Sequence, residues 1–420
     1  MDTPSRVDVA IVGGGPAGAR AAWRLARAGA RVAIFDGSHP REKPCGGGVT
    51  ARALDLVRDA IDVAALPAVA VTGATFEHGG KVIAMPVGSP SSTRPLLAIM
   101  SRRVFDQALL AAATRAGARL IPSRARTVSA GAAGWTVGSS EESVTARWLL
   151  GADGPNSFVR RTVRVPFART DLSLATGFFV HGWSSETMAI AFEDEPAGYL
   201  WSFPRPDHLA VGACAQADRS SPALLLPLVS RWIARNVGAG TRLEKYSWPI
   251  PSLTLPALEH EEPSGPGWML LGDAGGMVDP VTREGIFFAL AAGDAAADSL
   301  AEGSGAARHY EHRIRDTVHA ELRRAAAVKT RFFTPHFTSL LIESLEASVA
   351  IRAVMTDLMA GNQAYRGLRR RLLGTGELRL ALRLAKQMWI GDRPSANQLR
   401  SPHSPSAASD PVTRQPSSGR

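Results

Sequence analysis

Cysteine is nearly missing from this 420-residue chain, with Cys45 and Cys214 its only two. Two thiols so far apart exclude a disulfide framework and a cysteine-rich zinc site within one chain. The ten histidines show no metal-ligand spacing, so no metal is expected. Long apolar runs are missing too, and none reaches the length of a membrane span. The N-terminus has no basic stretch followed by an apolar one, so no signal peptide is read and a cytoplasmic protein is expected. Acidic residues are outnumbered, 38 to 48, giving a formal net charge of +10. The excess is concentrated at one end. Residues 366–393 hold eight Lys/Arg against Glu377 and Asp392, and residues 394–420 hold three Arg against Asp410. The basicity belongs to the C-terminal end, and no nucleic-acid partner is expected.

What is present is the composition of a folded globular protein, 45% hydrophobic and 20% charged, long enough for two or three domains. Residues 7–12 form a short apolar run, residues 16–28 have helical spacing, and residues 31–35 form a second apolar run. This strand–turn–helix–strand order is the setting of a dinucleotide fold. Residues 71–77 and 81–87 flank His78-Gly79-Gly80, a hairpin signal. Residues 103–116 read as a helix, 126–137 as strand broken by a turn between Gly131 and Gly134, and 143–150 as a further strand. Between 173 and 215, the segments 174–180, 188–192, 199–203 and 208–215 read as successive antiparallel strands. Residues 268–271 return to a parallel-type strand, followed by a helix over 285–300 and long helices over 309–331 and 338–358. From 394 onward the chain is rich in Ser, Pro and Arg, and a disordered tail is expected.

Four motifs carry the chemistry. In Gly13-x-Gly15-x-x-Gly18, with Ala17 inside it, the first glycine permits a tight turn. The second lets a phosphate approach the backbone, and the third lets helix and strand pack closely. The helix N-terminus then offers free N–H groups and a positive dipole end to a pyrophosphate. Asp36, at the end of the second strand, is placed to bond ribose hydroxyls. The other three motifs are Lys43-Pro-Cys45-Gly46-Gly-Gly48, Pro196-x-x-Tyr199-x-Trp201-x-Phe203-Pro204, and Gly272-Asp273-Ala274 running on to Pro280 and Gly285-Ile286. Tyr199, Trp201 and Phe203 alternate, so they share one face of a strand, as the wall of an apolar tunnel or as ordinary sheet core.

Gly151-Ala-Asp153-Gly154 with Ser157 and Arg160, together with Gly272-Asp273-Ala274, resembles the fingerprints of the para-hydroxybenzoate-hydroxylase-like FAD-dependent oxidoreductases. Within them, the Lys43 and Pro196 motifs resemble the geranylgeranyl reductase family over roughly residues 5–300. The resemblance implies FAD as cofactor and an α/β fold. That fold has a Rossmann-like FAD-binding domain (1–65, 98–165 and 265–305), an inserted antiparallel-sheet substrate domain (66–97 and 166–264) and a C-terminal helical region (306–393). It also implies that Asp153 belongs to the cofactor site, that Asp273 bonds the ribityl chain, and that Gly285-Ile286 opens a helix aimed at the flavin N1–C2=O edge, where reduced flavin carries negative charge. Arg102, with Arg103 as the alternative, matches the family arginine that touches the cofactor. Cys45 and Gly46 would lie near the flavin, Cys45 shaping the pocket, assisting proton delivery, or simply filling a tight loop. Tyr199, Trp201, Phe203 and Pro204 would line the site of a prenyl-lipid substrate.

The implied activity is saturation of isoprenoid double bonds by hydride from reduced flavin, with NADPH or a ferredoxin as transient electron donor. A proton donor is then needed at the neighbouring carbon, and Cys45 and Tyr199 are candidates. Glu284 orients a water or substrate, or is a first-turn helix acid. Cys214 reads as core. Gly238-Ala-Gly240 is not a second dinucleotide fingerprint. Leu378, Leu382, Ala385 and Trp389 fall on one helical face beside Arg379, Arg383 and Lys386. That pattern suits either peripheral contact with the cytoplasmic face of an anionic membrane or a terminal helix packed on the body. The main rival is a flavin-dependent halogenase, with Lys81 as its lysine, and then an aromatic hydroxylase; a non-catalytic electron-transfer flavoprotein is a third class.

Overall fold

The computed structural model describes residues 5–87, 96–238 and 240–390, with side chains for all of these but 389 and 390. The expected tail at 394–420 lies outside the described residues.

The strand Ser5–Val12 starts exposed at Ser5 and Arg6 and is buried between two layers from Val9 to Val12, which are apolar on both faces. It pairs in parallel with Val32–Phe35 on one side and Ser143–Gly151 on the other, and Trp268–Leu270 pairs in parallel beyond that. The register places Val12 opposite both Phe35 and Gly151, and Gly151 opposite Leu270. The four strands therefore end at one edge. On one face of this sheet, the helices Pro16–Arg27 and Ile286–Ala301 pack together. They approach closely because the residues between them are small: a Cβ on Gly293 would lie 2.7 Å from the Ala17 carbonyl oxygen. Arg20 fastens the pair by bonding both Asp294 and Asp59 at 2.6 Å.

A second sheet has seven strands. Their order is Leu243–Pro251, Leu172–His181, His208–Gln216, Ala197–Pro204, Thr187–Asp194, Gly73–His78 and Lys81–Pro86. The strands between 173 and 215 are present, but not all as successive neighbours. Leu172–His181 skips the next two strands and pairs with His208–Gln216, while Thr187–Asp194 pairs in parallel with Gly73–His78. One face of this sheet is covered by the helix Pro222–Asn236, through Leu225, Val229 and Ile233. Pro227, inside the helix, interrupts the pattern that would have announced it. The C-terminal helices pack against the sheet's other end, where Phe76, Met188 and Phe192 share a core with Phe337, Leu341 and Leu358.

The helical stretch expected at 309–331 is realised as Ala306–Ile314, a π-helical turn over Arg315–His319, and Ala320–Phe332. The single helix expected at 338–358 is two helices, Pro335–Ala347 and Val349–Met359. Ser348 separates them in an extended conformation, and its hydroxyl accepts the Ile351 N–H at 3.2 Å. A cap inside a periodic run ends one helix and starts the next. No helix among the described residues is long and apolar enough to cross a membrane.

Candidate active site

The shared edge of the parallel strands places Gly13, Asp36, Ala152 and Leu271 side by side, the usual ligand-binding edge of such sheets. Gly13 has φ +102°, and a Cβ there would overlap the Ala152 carbonyl; a Cβ on Gly18 would overlap the Gly13 carbonyl. A Cβ on Gly15 would meet no protein atom within 4 Å. The helix that starts after Gly15 has no side-chain cap. Its first N–H groups thus face an open edge, which suits a phosphate. The helix Ile286–Ala301 likewise starts at Gly285 with no side-chain cap and no acid in its first turn.

Asp36, expected at the ribose, is itself held by protein donors. Oδ2 accepts from the Gly14 N–H at 2.6 Å and pairs with His39 Nδ1 at 2.8 Å. Oδ1 accepts from the Ser38 and His39 N–H groups and the Ser38 hydroxyl. His39 continues to Asp106 at 3.4 Å, and Arg102 forks onto Asp106 at 2.8 and 2.7 Å. Burial alone would lower the His39 pKa, but Asp106 and Asp36 outweigh it and raise it to about 9. His39 is therefore a cation at neutral pH, and His39 and the Gly14 N–H hold the Asp36 carboxyl below its usual range against the cost of burial.

The loop over 43–48 crosses from this edge to the second sheet. Lys43 Nζ bonds Asp273 Oδ2 at 2.9 Å. The Cys45 Sγ accepts the Gly47 N–H at 3.4 Å. The Cys45 carbonyl accepts from Arg205 at 2.5 Å, and Arg205, fully buried, also pairs with Glu42. Glu42 in turn accepts the Arg102 N–H at 2.9 Å. Gly46 lies against the Phe203 ring.

These parts line one cavity of about 730 Å³. Its polar half is bounded by Gly13, Gly15, Asp36, Arg102, Asp153 and Asp273. Its apolar half lies between the second sheet and the C-terminal helices, among Tyr199, Phe203, Phe333, Leu341, Met355 and Leu358. Tyr199 stacks on Phe333, with ring centres 6.1 Å apart and planes 12° apart.

The profile of the family described as FAD binding domain matches residues 6–227. The chain belongs to that family. Its cofactor is FAD, and the uncapped helices, the open Gly15 and the Lys43–Asp273 pair fit a dinucleotide. The sequence is 29% identical to digeranylgeranylglycerophospholipid reductase 1 of Methanopyrus kandleri, over 84% of this chain and 99% of that one. The structure matches a geranylgeranyl bacteriochlorophyll reductase-like protein of Thermoplasma acidophilum with TM-score 0.74 and 22% identity, covering 89% of this chain and all of the other. It also matches a flavin-dependent brominase with TM-score 0.65 and 19% identity, over 88% and 99% of the two chains. At that identity the structural matches speak for the fold alone.

Of the residues expected at the flavoprotein's site, Gly13, Gly15, Ala17, Asp36, Cys45, Gly46, Arg102, Asp153, Asp273, Gly285, Ile286, Tyr199, Trp201 and Phe203 all border the cavity. Gly18 does not; it serves helix–strand packing. Pro204 does not either, because strand alternation turns it to the opposite face from Phe203. Between the two candidate arginines, Arg102 is buried at the cavity and Arg103 is exposed. Both carboxylate oxygens of Asp153 are occupied by Ser157 Oγ, Phe158 N and Val159 N. Glu284 precedes the N-cap Gly285, so it is not in the first turn; it pairs with Arg52 and accepts from Thr50 Oγ1 at 2.7 Å. Burial raises its pKa despite Arg52. Lys81 lies outside the cavity, on an exposed strand beside Glu346 at 3.5 Å. The sequence reading missed the helical wall from Phe333 to Leu358, since apolar helical spacing looks the same whether it faces a core or a channel.

Proposed function

We propose that this flavoprotein saturates double bonds of an isoprenoid chain. The observation that carries the reading is the continuity of the cavity. The edge built for a dinucleotide opens directly into an apolar channel walled by Tyr199, Phe203, Phe333, Leu341 and Met355. A prenyl chain offers no polar handle except at its head, and a long apolar and aromatic wall is what would hold it. The name of the Methanopyrus relative, which spans nearly its whole length, supports the same reading.

Bound and reduced, FAD would supply hydride to one alkene carbon. The chain's own part is to exclude water, align the alkene and hold a proton for the other carbon. Cys45 stands on the loop between the two halves of the cavity. The Tyr199 hydroxyl has no hydrogen-bond partner among the described residues, and burial raises its pKa, so it keeps its proton. Both remain the proposed donors. NADPH or a ferredoxin is the proposed reductant.

Membrane contact is the second part of the proposal. In the helix Leu378–Ala385, Ala381, Leu384 and Ala385 are buried against the body, so Ala385 does not belong to an outward stripe. Leu378 and Leu382 are 60% and 55% exposed, beside exposed Arg379, Arg383 and Lys386. The Trp389 side chain lies outside the described ones.

The test is anaerobic. The FAD-loaded protein is reduced chemically, given geranylgeranyl diphosphate or geranylgeranylated lipid, and the products are weighed. Products heavier by two hydrogens per reduced bond are expected. NADPH oxidation that requires oxygen and an aromatic or halide co-substrate, with no saturated product, would move the chain to the hydroxylase or halogenase branch.

A further inference from the structure

Among the described residues, Arg283 alone combines a side chain with a positive φ, +61°. That backbone region favours glycine, and a larger residue there costs about 1–2 kcal/mol. Arg283 lies between Asp279 and Gly285 and lines the cavity. Its Nη1 donates to Ser252 Oγ, and its Cζ sits 5.8 Å from the centre of the Phe333 ring that stacks on Tyr199. Its Nε is buried without a partner.

Among the described residues, no carboxylate pairs with this guanidinium. Asp279 Oδ1 accepts from the Val281 and Thr282 N–H groups and the Tyr365 hydroxyl, and Glu284 pairs with Arg52 and accepts from Thr50; neither carboxylate pairs with Arg283. Lys329, from the helix Ala320–Phe332, reaches the same serine, donating to the Ser252 carbonyl at 2.5 Å. It too has no ion pair among the described residues; Asp171 and Asp218 act on it only through space. Burial first, and then the charge of Arg283, pull the Lys329 pKa down to about 7. A guanidinium and a lysine whose charge is disfavoured by burial thus converge on Ser252 with no paired carboxylate among the described residues, and an anionic ligand would hold both in their charged forms.

We propose that Arg283, with Lys329 behind it, is an anion subsite in the cavity wall that takes the phosphate or diphosphate end of a prenyl substrate. The prenyl half of this statement rests on the isoprenoid reading above; the anion half rests on the unpaired Arg283 guanidinium and the Lys329 amine that reaches the same serine. A guanidinium fork matches phosphate oxygens, and a second cation suits a doubly charged head. The phosphates of the dinucleotide have their own place at the start of Pro16–Arg27. An Arg at a glycine-favouring position, beside an otherwise apolar wall, would then select headgroups.

The experiment measures binding of geranylgeranyl diphosphate, geranylgeraniol and inorganic pyrophosphate to the full, FAD-loaded chain and to its Arg283→Gly and Arg283→Lys variants. Arg283→Gly should weaken both phosphorylated ligands roughly tenfold or more and leave the alcohol within about twofold. Its melting temperature should hold or rise, because glycine accepts this φ. Arg283→Lys should retain part of the affinity. Equal losses for alcohol and diphosphate, or no loss for either, would overturn the subsite, while reduction of the alcohol by the parent protein would leave the isoprenoid reading standing. Binding of pyrophosphate through Arg283 by a protein that takes up no prenyl ligand would point to a free phosphate compound, overturning the isoprenoid reading and the prenyl half while bearing out the anion half.

Discussion

The ring of Phe203 fills the space that a side chain on Gly46 would need. A Cβ on Gly46 would overlap Phe203 Cδ2 and lie 2.7 Å from Cε2. Two motifs far apart in the chain are thereby one contact: the missing side chain at Gly46 lets the aromatic strand close on the loop. Gly46→Ala should cost about 1–3 kcal/mol and lower the bound flavin, read from the ratio of flavin to protein absorbance. Phe203→Leu in the same chain should recover part of both, with a coupling of about 0.5 kcal/mol or more in the double-mutant cycle. Strictly additive effects would mean that the ring and the loop do not constrain each other.

Gly13 and Gly15 should part company on substitution to alanine. At Gly13 the positive φ and the Ala152 carbonyl stand in the way, so the FAD-free protein itself should melt lower. At Gly15 nothing of the protein is in reach, so the FAD-free protein should melt within about 0.5 kcal/mol of the parent while FAD binding falls. Scanning calorimetry with and without FAD separates the two, and an equal loss in the FAD-free state would contradict the open approach at Gly15.

His39 predicts a pH dependence of stability. Its folded pKa, about 9, stands above its ordinary 6.5. Its contribution is therefore complete below pH 6.5 and disappears as pH rises through 9, up to roughly 3 kcal/mol for a shift of that size. Melts between pH 6 and 10 should show the decline in the parent and not in His39→Gln. The carboxyls of Asp36 and Asp106 are lowered, so their share is lost in acid and stays out of this window.

Cys45→Ser and Tyr199→Phe separate proton delivery from shape. Each keeps the size of its side chain. If Tyr199 delivers the proton, Tyr199→Phe should lower kcat by about a hundredfold or more with KM little changed. Cys45→Ser with unchanged turnover would remove Cys45 from the reaction and leave it a filler of the tight loop. Single-turnover assays with chemically reduced flavin read the step directly.

Much of the cofactor edge was legible in the sequence because backbone geometry at phosphate sites demands glycine at fixed intervals. Gly13, Gly15 and Asp36 stand where that spacing put them. The aromatic stripe was legible by its period of two, which also explains the error at Pro204: a motif letter was read as a contact although the alternation turns it away. The split at Ser348 was invisible to periodicity, since Leu345 and Val349 continue the pattern through a break made by one hydroxyl. The roles of Phe333, Leu341 and Met355 required the three-dimensional neighbour. So did Arg283, whose identity as a charged residue says nothing of its backbone conformation.

The glycines and acids of the dinucleotide edge all lie between Gly13 and Ile286, whereas the helical side of the channel comes from Phe332 onward. A ribosome delivers them in that order. Until the segment from Phe333 to Leu358 is made, the cofactor edge has all its glycines and acids while the apolar half of the cavity still lacks its helical wall.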